Sequence, residues 1–388
     1  MNKPTDTPLR LLNNLTASQF LAEYWQKKPL LIRSAIPDFK GLLNPNELAG
    51  LACEDDVQSR IIRHSKGKWQ VENGPFDEAD FTQLPARDWT LLVQSVNHHL
   101  PEAAGLLSQF NFIPHTRLDD LMVSYAPDGG GVGPHIDSYD VFLLQGSGQR
   151  RWKISGTNNK NPADLSLIEN APLKILKHFE TEQEWVLEAG DMLYLPPQIA
   201  HWGTAVGDDC MTYSIGFRAP KTQELMHEFL NYLQDNIQAE GLYTDPDLSV
   251  QEHPAEIKSE MIDKVSGMLQ TITWDKNSVA DFLGKYLTEP KPDMVFEPAR
   301  KISQTEFIKK LSKKSLLLNL KSQLLFTQNN FYLNGEKLIV AAELIGCMQD
   351  LADNRICETP ALQANIHAAL GNALLEAYLA GFVCFNHE

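Results

Sequence analysis

The chain has 388 residues, with 34 Lys and Arg against 50 Asp and Glu and a formal net charge of −16. That length supports two or three domains with substantial cores. The acidic balance argues against a general nucleic-acid binder, which gains affinity by neutralising phosphates with clustered Lys and Arg. Cys53, Cys210, Cys347, Cys357 and Cys384 show neither metal-type pairing nor a disulfide framework. With no amino-terminal targeting pattern and no stretch of roughly 18 apolar residues, a soluble protein of the reducing cytoplasm is expected, off the membrane and with basic partners.

In chain order, residues 16–27 predict an amphipathic helix ending before Pro29, and residues 30–33 a strand. Residues 61–63 and 69–72 predict paired strands ahead of a Gly74-Pro75 turn. Residues 88–100, with an acidic start and an apolar face, predict a helix. From Leu121 to Pro220 strands dominate. Within that stretch residues 140–145 predict a strand, Gly146-Ser147-Gly148-Gln149 a turn, and residues 150–154 the returning arm of a hairpin.

After Pro220, Leu225, Met226, Phe229, Leu230, Leu233 and Ile237 recur at helical spacing, and helical segments continue through Ile257, Met261, Ile262, Val265 and Met268. Beyond Pro290-Lys291-Pro292 come a helix over 304–313, a strand over 323–328, a hairpin over 331–338 turned by Asn334-Gly335, and helices around 341–353 and 360–380. This order is winged-helix-like. The last helix is nearly uncharged, so protein contact is the better expectation than DNA binding.

The chemistry concentrates in Gly129-Gly130-Gly131-Val132-Gly133-Pro134-His135-Ile136-Asp137. On a strand, His135 and Asp137 project from one face. Imidazole plus carboxylate supplies two of the three ligands that hold non-haem Fe(II) while leaving adjacent positions open. His201, after the turn, short apolar strand and Pro196-Pro197 corner, is the best third ligand. An arginine from Arg150-Arg151 would come back beside the metal. Its fork suits the distal carboxylate of a 2-oxo dicarboxylic acid whose other end chelates the iron, and the residues alone leave Arg150 and Arg151 both open.

The segments FLAEYWQKKPLLIR (20–33), GGGVGPHIDSYDVFLLQGSGQRRW (129–152), GDMLYLPPQIAHW (190–202) and YSIGFRAP (213–220) resemble the Jumonji-C 2-oxoglutarate oxygenases, and more narrowly the bacterial ribosomal oxygenases. The resemblance implies an α+β fold: a double-stranded β-helix (cupin or jelly-roll) barrel over 1–219 with amino-terminal helices, a helical dimerisation segment over 220–290, and a winged-helix-like domain over 291–388. It implies His135, Asp137 and His201 as iron ligands, with 2-oxoglutarate and dioxygen as co-substrates. Arg150 becomes the 2-oxoglutarate anchor, ahead of Arg151 and, further behind, Arg218. The implied reaction is hydroxylation at Cβ of an arginine in the sixteenth protein of the large ribosomal subunit, by a homodimer.

If Ser124 points inward to the co-substrate, the side-chain period of two turns Met122 and Asp120 inward as well. Asp120 then offers a carboxylate to a guanidinium. Tyr139 shares the face of His135 and Asp137 and could stack on or hydrogen-bond an arginine. A demethylase or a hydroxylase of another residue would use the same centre. A non-catalytic cupin module would need neither a full triad nor an inward arginine.

Overall fold

The computed structural model describes residues 6–155, 166–328 and 330–386. It divides the chain into two compact units, residues 1–219 with 293–295, and residues 220–292 with 296–388.

In the first unit, strands β1 (Leu30–Ile32), β2 (Ser59–Ser65), β3 (Lys68–Asn73), β4 (Trp89–Val93), β5 (Leu118–Ala126), β6 (His135–Ile136), β7 (Asp140–Ser155), β8 (Gln183–Leu187), β9 (Met192–Leu195) and β10 (Ala200–Phe217) form one sheet. Its order is β1-β9-β7-β10-β5-β4-β2-β3, with β6 paired to β10 and β8 to β7. Helices α1 (Ala17–Glu23), α2 (Pro45–Leu51), α3 (Glu78–Thr82) and α4 (Pro101–Ser108) accompany it.

Alternation along the strands sorts their side chains into two environments. Leu121 and Val123 of β5, Phe142 and Leu144 of β7, and Tyr213 and Ile215 of β10 join one core with Phe20 of α1, Leu48 of α2 and Leu106 of α4. Their neighbours on the other face, including Met122, Ser124, Leu143, Thr212 and Ser214, line a cavity. Helices thus bury the outer face of the sheet, and the inner face is left concave for a ligand.

Three expectations need correction. Residues 88–100 are not a helix: Trp89–Val93 is the fully buried strand β4, followed by a short 3-10 turn at Val96–His98. A short strand buried on both faces reads as a continuous apolar run, which periodicity cannot separate from a buried helix.

The hairpin at Gly146–Gln149 does not form either, because β7 runs unbroken for 16 residues. Both of its halves pair with the 18-residue β10, from Asp140 opposite Phe217 to Ser155 opposite Ala200. The Gly-Ser-Gly segment is absorbed in an irregularity where the register jumps from Gln149–Val206 to Ser147–Met211. Gly148 takes φ 59° there, and a Cβ on it would meet the Asp209 carbonyl oxygen at 2.7 Å, so glycine accommodates a bulge rather than a reversal.

The third correction concerns the cysteines: Cys347 and Cys357 form a disulfide with Cα atoms 5.8 Å apart. A helix and a short strand, ten residues apart in sequence, are packed together in the second unit and bring these thiols within bonding reach.

That unit contains α5 (Thr222–Asn236), α6 (Ser259–Gln270), α7 (Lys276–Thr288), α8 (Gln304–Leu311), α9 (Ile345–Asn354) and α10 (Ala364–Leu379). Strands β11 (Leu316–Leu318), β15 (Ile356–Cys357) and β16 (Val383–Phe385) make one small sheet; β12 (Leu324–Phe326), β13 (Phe331–Leu333) and β14 (Glu336–Leu338) make another. The Asn334-Gly335 hairpin is present, with φ 48° and 88° at its two central residues, as a primed turn requires.

The apolar stripe on α5 splits. Leu233 is buried and the Phe229 ring packs against Trp274 and Phe282, whereas Met226 and Leu230 face solvent. Among the described residues no helix is long and apolar enough to cross a membrane.

Candidate metal centre

Short β6 and the start of β10 place His135 directly opposite His201. Each imidazole Nδ1 lies 2.9 Å from a main-chain oxygen, His135 from Gly133 and His201 from Ile199. A carbonyl accepts from Nδ1–H, which leaves the Nε2 lone pair of each ring directed away from that bond. The Nε2 atoms stand 3.8 Å (His135) and 3.5 Å (His201) from Asp137 Oδ2. All three ligand atoms lie within 4.8 Å of one another. Two imidazoles and one carboxylate with an open side fit a non-haem Fe(II) facial triad.

Burial, and then the nearby charge of His135, push the His201 pKa down to about 4, so its ring is the neutral ligand form at neutral pH. A folded pKa below the unfolded value makes the unfolded chain bind the extra proton between about pH 6.5 and 4. The metal-free protein is therefore expected to lose stability as pH falls through that window, by on the order of 3 kcal/mol. Urea midpoints of metal-free wild type and His201→Gln at pH 7.5 and 5 check this; an equal acid loss in both would remove His201 as its source.

Arg150 lies on the inner face of β7 with Trp152 and is 4% exposed. Its guanidinium carbon sits 5.2 Å from the Trp152 ring centre, Nη2 is 3.5 Å from the Gly203 carbonyl and Nη1 3.8 Å from Cys210 Sγ. Its Nε and the Trp152 Nε1 are buried without a hydrogen-bond partner among the described residues. No carboxylate pairs with it there, and a buried unpaired cation is costly, so the position fits an anionic ligand.

Arg151 turns to the opposite face, where its Nε is 3.2 Å from Glu184 Oε1. Arg218 instead meets Asp119 at 3.5 Å. Gly203 keeps space for the Arg150 cradle: a Cβ there would sit 2.6 Å from the Trp152 ring and 2.7 Å from Arg150 Nε.

His135, Asp137, His201 and Arg150 line one cavity of about 420 Å³, together with Asp120, Met122, Ser124 and Tyr139. Asp120 is buried and its Oδ2 accepts from the Ser95 amide at 2.9 Å and the Ser95 hydroxyl at 3.0 Å. Met122 Sδ lies 3.2 Å from Gln94 Nε2, and Ser124 Oγ 3.5 Å from the Thr212 carbonyl. Tyr139 is 40% exposed and hydrogen-bonds Asp137; partial desolvation at the cavity mouth, followed by the Asp137 charge, raises its pKa.

Trp152, Thr212 and Arg60, which also line the cavity, and Gly203 beneath the Arg150 side chain escaped the reading of the sequence. Counting in twos from Arg150 would have found Trp152. Gly203 becomes visible only once β10 is seen to pair with β7.

Two family models match the chain, a JmjC domain over residues 105–225 and a ROXA-like winged helix over residues 271–383. The chain is 36% identical, over 82% of its length, to the ribosomal protein uL16 3-hydroxylase of Escherichia coli, 84% of which is covered. It belongs to the Jumonji-C ribosomal oxygenases.

A probable ribosomal oxygenase of Haemophilus influenzae is 38% identical over 67% of this family member and 61% of its own length. Among solved structures, E. coli ycfD superposes with a TM-score of 0.82 at 32% identity, covering 96% of this chain and 98% of that one. The E. coli ribosomal oxygenase in complex with cobalt and 2-oxoglutarate matches with a TM-score of 0.78 at 32% identity, covering 95% and 98%. This oxygenase therefore has the Jumonji-C barrel and the winged-helix domain that its sequence implies.

Proposed function

We propose that the chain is an Fe(II)- and 2-oxoglutarate-dependent protein hydroxylase acting on ribosomal protein uL16 of the large subunit, at Cβ of an arginine. One observation carries the reading: a His-Asp-His cluster and a buried arginine with no carboxylate partner among the described residues face the same cavity. The names of the E. coli and H. influenzae relatives support the substrate class.

In this reading His135, Asp137 and His201 hold the metal. Fe(II), when bound, supplies the oxidation that couples 2-oxoglutarate decarboxylation by dioxygen to hydroxylation. Arg150 binds the distal carboxylate of 2-oxoglutarate by charge-assisted hydrogen bonds and so directs its 2-oxo acid end toward the triad. Ser124 offers that co-substrate a hydroxyl. Val141, Leu143 and Trp152 make an apolar wall that excludes water and strengthens the polar contacts.

On the substrate side, Met122 packs the aliphatic stem of the target arginine and Tyr139 hydrogen-bonds or stacks on it. Asp120, oriented by Ser95, receives its guanidinium. Mass spectrometry of uL16 incubated with the purified protein, Fe(II) and 2-oxoglutarate is expected to show the mass of one added oxygen on an arginine. An unmodified uL16, with 2-oxoglutarate still consumed, would move the substrate elsewhere.

The net charge of −16 suits a basic ribosomal protein and opposes direct nucleic-acid binding, and a cytoplasmic site of action follows from that substrate. Domain limits of 1–219, 220–290 and 291–388 fit this division of labour. The working form is a homodimer joined through the second of these segments, because Met226, Leu230, Met261 and Ile262 are exposed on α5 and α6 and a two-fold contact would bury each of them in both chains. Changing Met226 and Leu230 together to aspartate is expected to dissociate it, since unpaired charge in an apolar contact is costly. Sedimentation of the wild type as a monomer at micromolar concentration would remove the dimer.

A further inference from the structure

A second cavity of about 420 Å³ adjoins the metal-bearing one, and Arg60 and Gln94 line both. Arg60 comes from β2, opposite Leu92 of β4, in a row that continues through Ser124 of β5 to Thr212 of β10. It therefore stands at the junction on the inner face of the sheet. Its Nε is shut off from solvent and has no hydrogen-bond partner among the described residues.

Of the arginines with such an orphaned Nε, Arg63 is balanced by Glu72 at 2.6 Å, and Arg150 is assigned above to 2-oxoglutarate. Arg60 has no such assignment. Buried polar groups are normally satisfied, and an orphan beside a cavity points to an acceptor that arrives with a ligand.

The surroundings select the acceptor's chemistry. Asp55, Asp56 and Asp293 line the second cavity, and Asp120 and Asp137 the first, so an anionic side chain would meet carboxylates on both sides. A cationic side chain would be repelled by Arg60 itself. A neutral carbonyl suffers neither penalty, and a guanidinium offers it donors in a fixed fork. Successive side chains of an extended peptide leave on opposite sides. One residue can therefore enter the metal cavity while a neutral neighbour enters the second, its main chain crossing between them.

We infer that Arg60 binds a main-chain carbonyl of the protein substrate where it crosses between the two cavities, an assignment that rests on the proposed hydroxylase reading. It is a substrate-binding residue, and neither 2-oxoglutarate nor the metal depends on it.

The test uses the full-length protein with Fe(II), 2-oxoglutarate and uL16. Arg60→Met keeps the apolar stem and removes the donors. Its KM for uL16 is expected to rise about ten- to a hundredfold, the range for losing a charged hydrogen bond. Its KM for 2-oxoglutarate and its 2-oxoglutarate consumption without uL16 should match wild type, which shows that the barrel is intact. Arg60→Lys, with one charged donor group, should recover part of the loss. Wild-type hydroxylation with an unchanged uL16 KM in Arg60→Met overturns the Arg60 assignment alone. A comparable rise in the 2-oxoglutarate KM would make Arg60 a co-substrate or structural residue and also overturns it. A wild type that leaves uL16 unmodified overturns the hydroxylase reading, and this assignment falls with it.

Discussion

Asp137→Ala and His135→Ala are each expected to abolish both hydroxylation and 2-oxoglutarate consumption while the barrel stays folded. The cluster has three side chains, with ligand atoms within 4.8 Å of one another, so each substitution leaves only two protein ligands. The loss should exceed the roughly 10- to 100-fold that removing an outer partner of a metal ligand costs. Asp137 is the more informative position, because its Oδ2 lies near both histidine Nε2 atoms, at 3.8 and 3.5 Å. Succinate release by purified Asp137→Ala at the wild-type rate, with Fe(II) supplied, would show that the metal sits elsewhere. Circular dichroism and the urea midpoint of the same sample separate lost chemistry from lost fold.

The arginine pair should respond in opposite ways. Arg150→Ala removes a buried guanidinium that faces the cavity and has no carboxylate partner among the described residues, and should weaken 2-oxoglutarate binding by about 2 to 5 kcal/mol, the range for truncating a buried charge-assisted contact. Arg151 is half-exposed and its partner Glu184 is equally so. Surface pairs contribute little, so Arg151→Ala should change 2-oxoglutarate affinity by less than about 0.5 kcal/mol. Titrating 2-oxoglutarate against both variants decides the ranking, and the reverse order would move the anchor to Arg151.

The His135, Asp137 and His201 cluster was legible in the sequence because its spacing is local. Spacing of two on a strand puts His135 and Asp137 on one face whatever surrounds them, and the Pro196-Pro197 corner marks the entry to the strand that bears His201. Asp120, Met122 and Ser124 followed from the same alternation, and all three line the cavity. The Asn334-Gly335 hairpin was equally local, since its backbone conformation is written in two residues.

What the sequence could not decide was which partner each strand takes and which segments bury both faces. Residues 89–93 read as helix because only the sheet on one side and the cavity on the other make that apolar run a strand. Gly146-Ser147-Gly148 read as a hairpin turn, yet pairing with β10 along its whole length turns it into an irregularity in one strand. That irregularity also sets the arginine. Val141 and Leu143 face inward at odd positions, whereas Arg150 and Trp152 face inward at even ones, so counting in twos along an unbroken strand from Leu143 would have chosen Arg151. The sequence by itself determined the ligand chemistry, because alternation and turn geometry act over a few residues. The tertiary structure alone decided which arginine faces the cavity, the place of Arg60 at the junction of the two cavities and the Cys347–Cys357 pair, because each depends on register or packing between segments that the chain brings together only on folding.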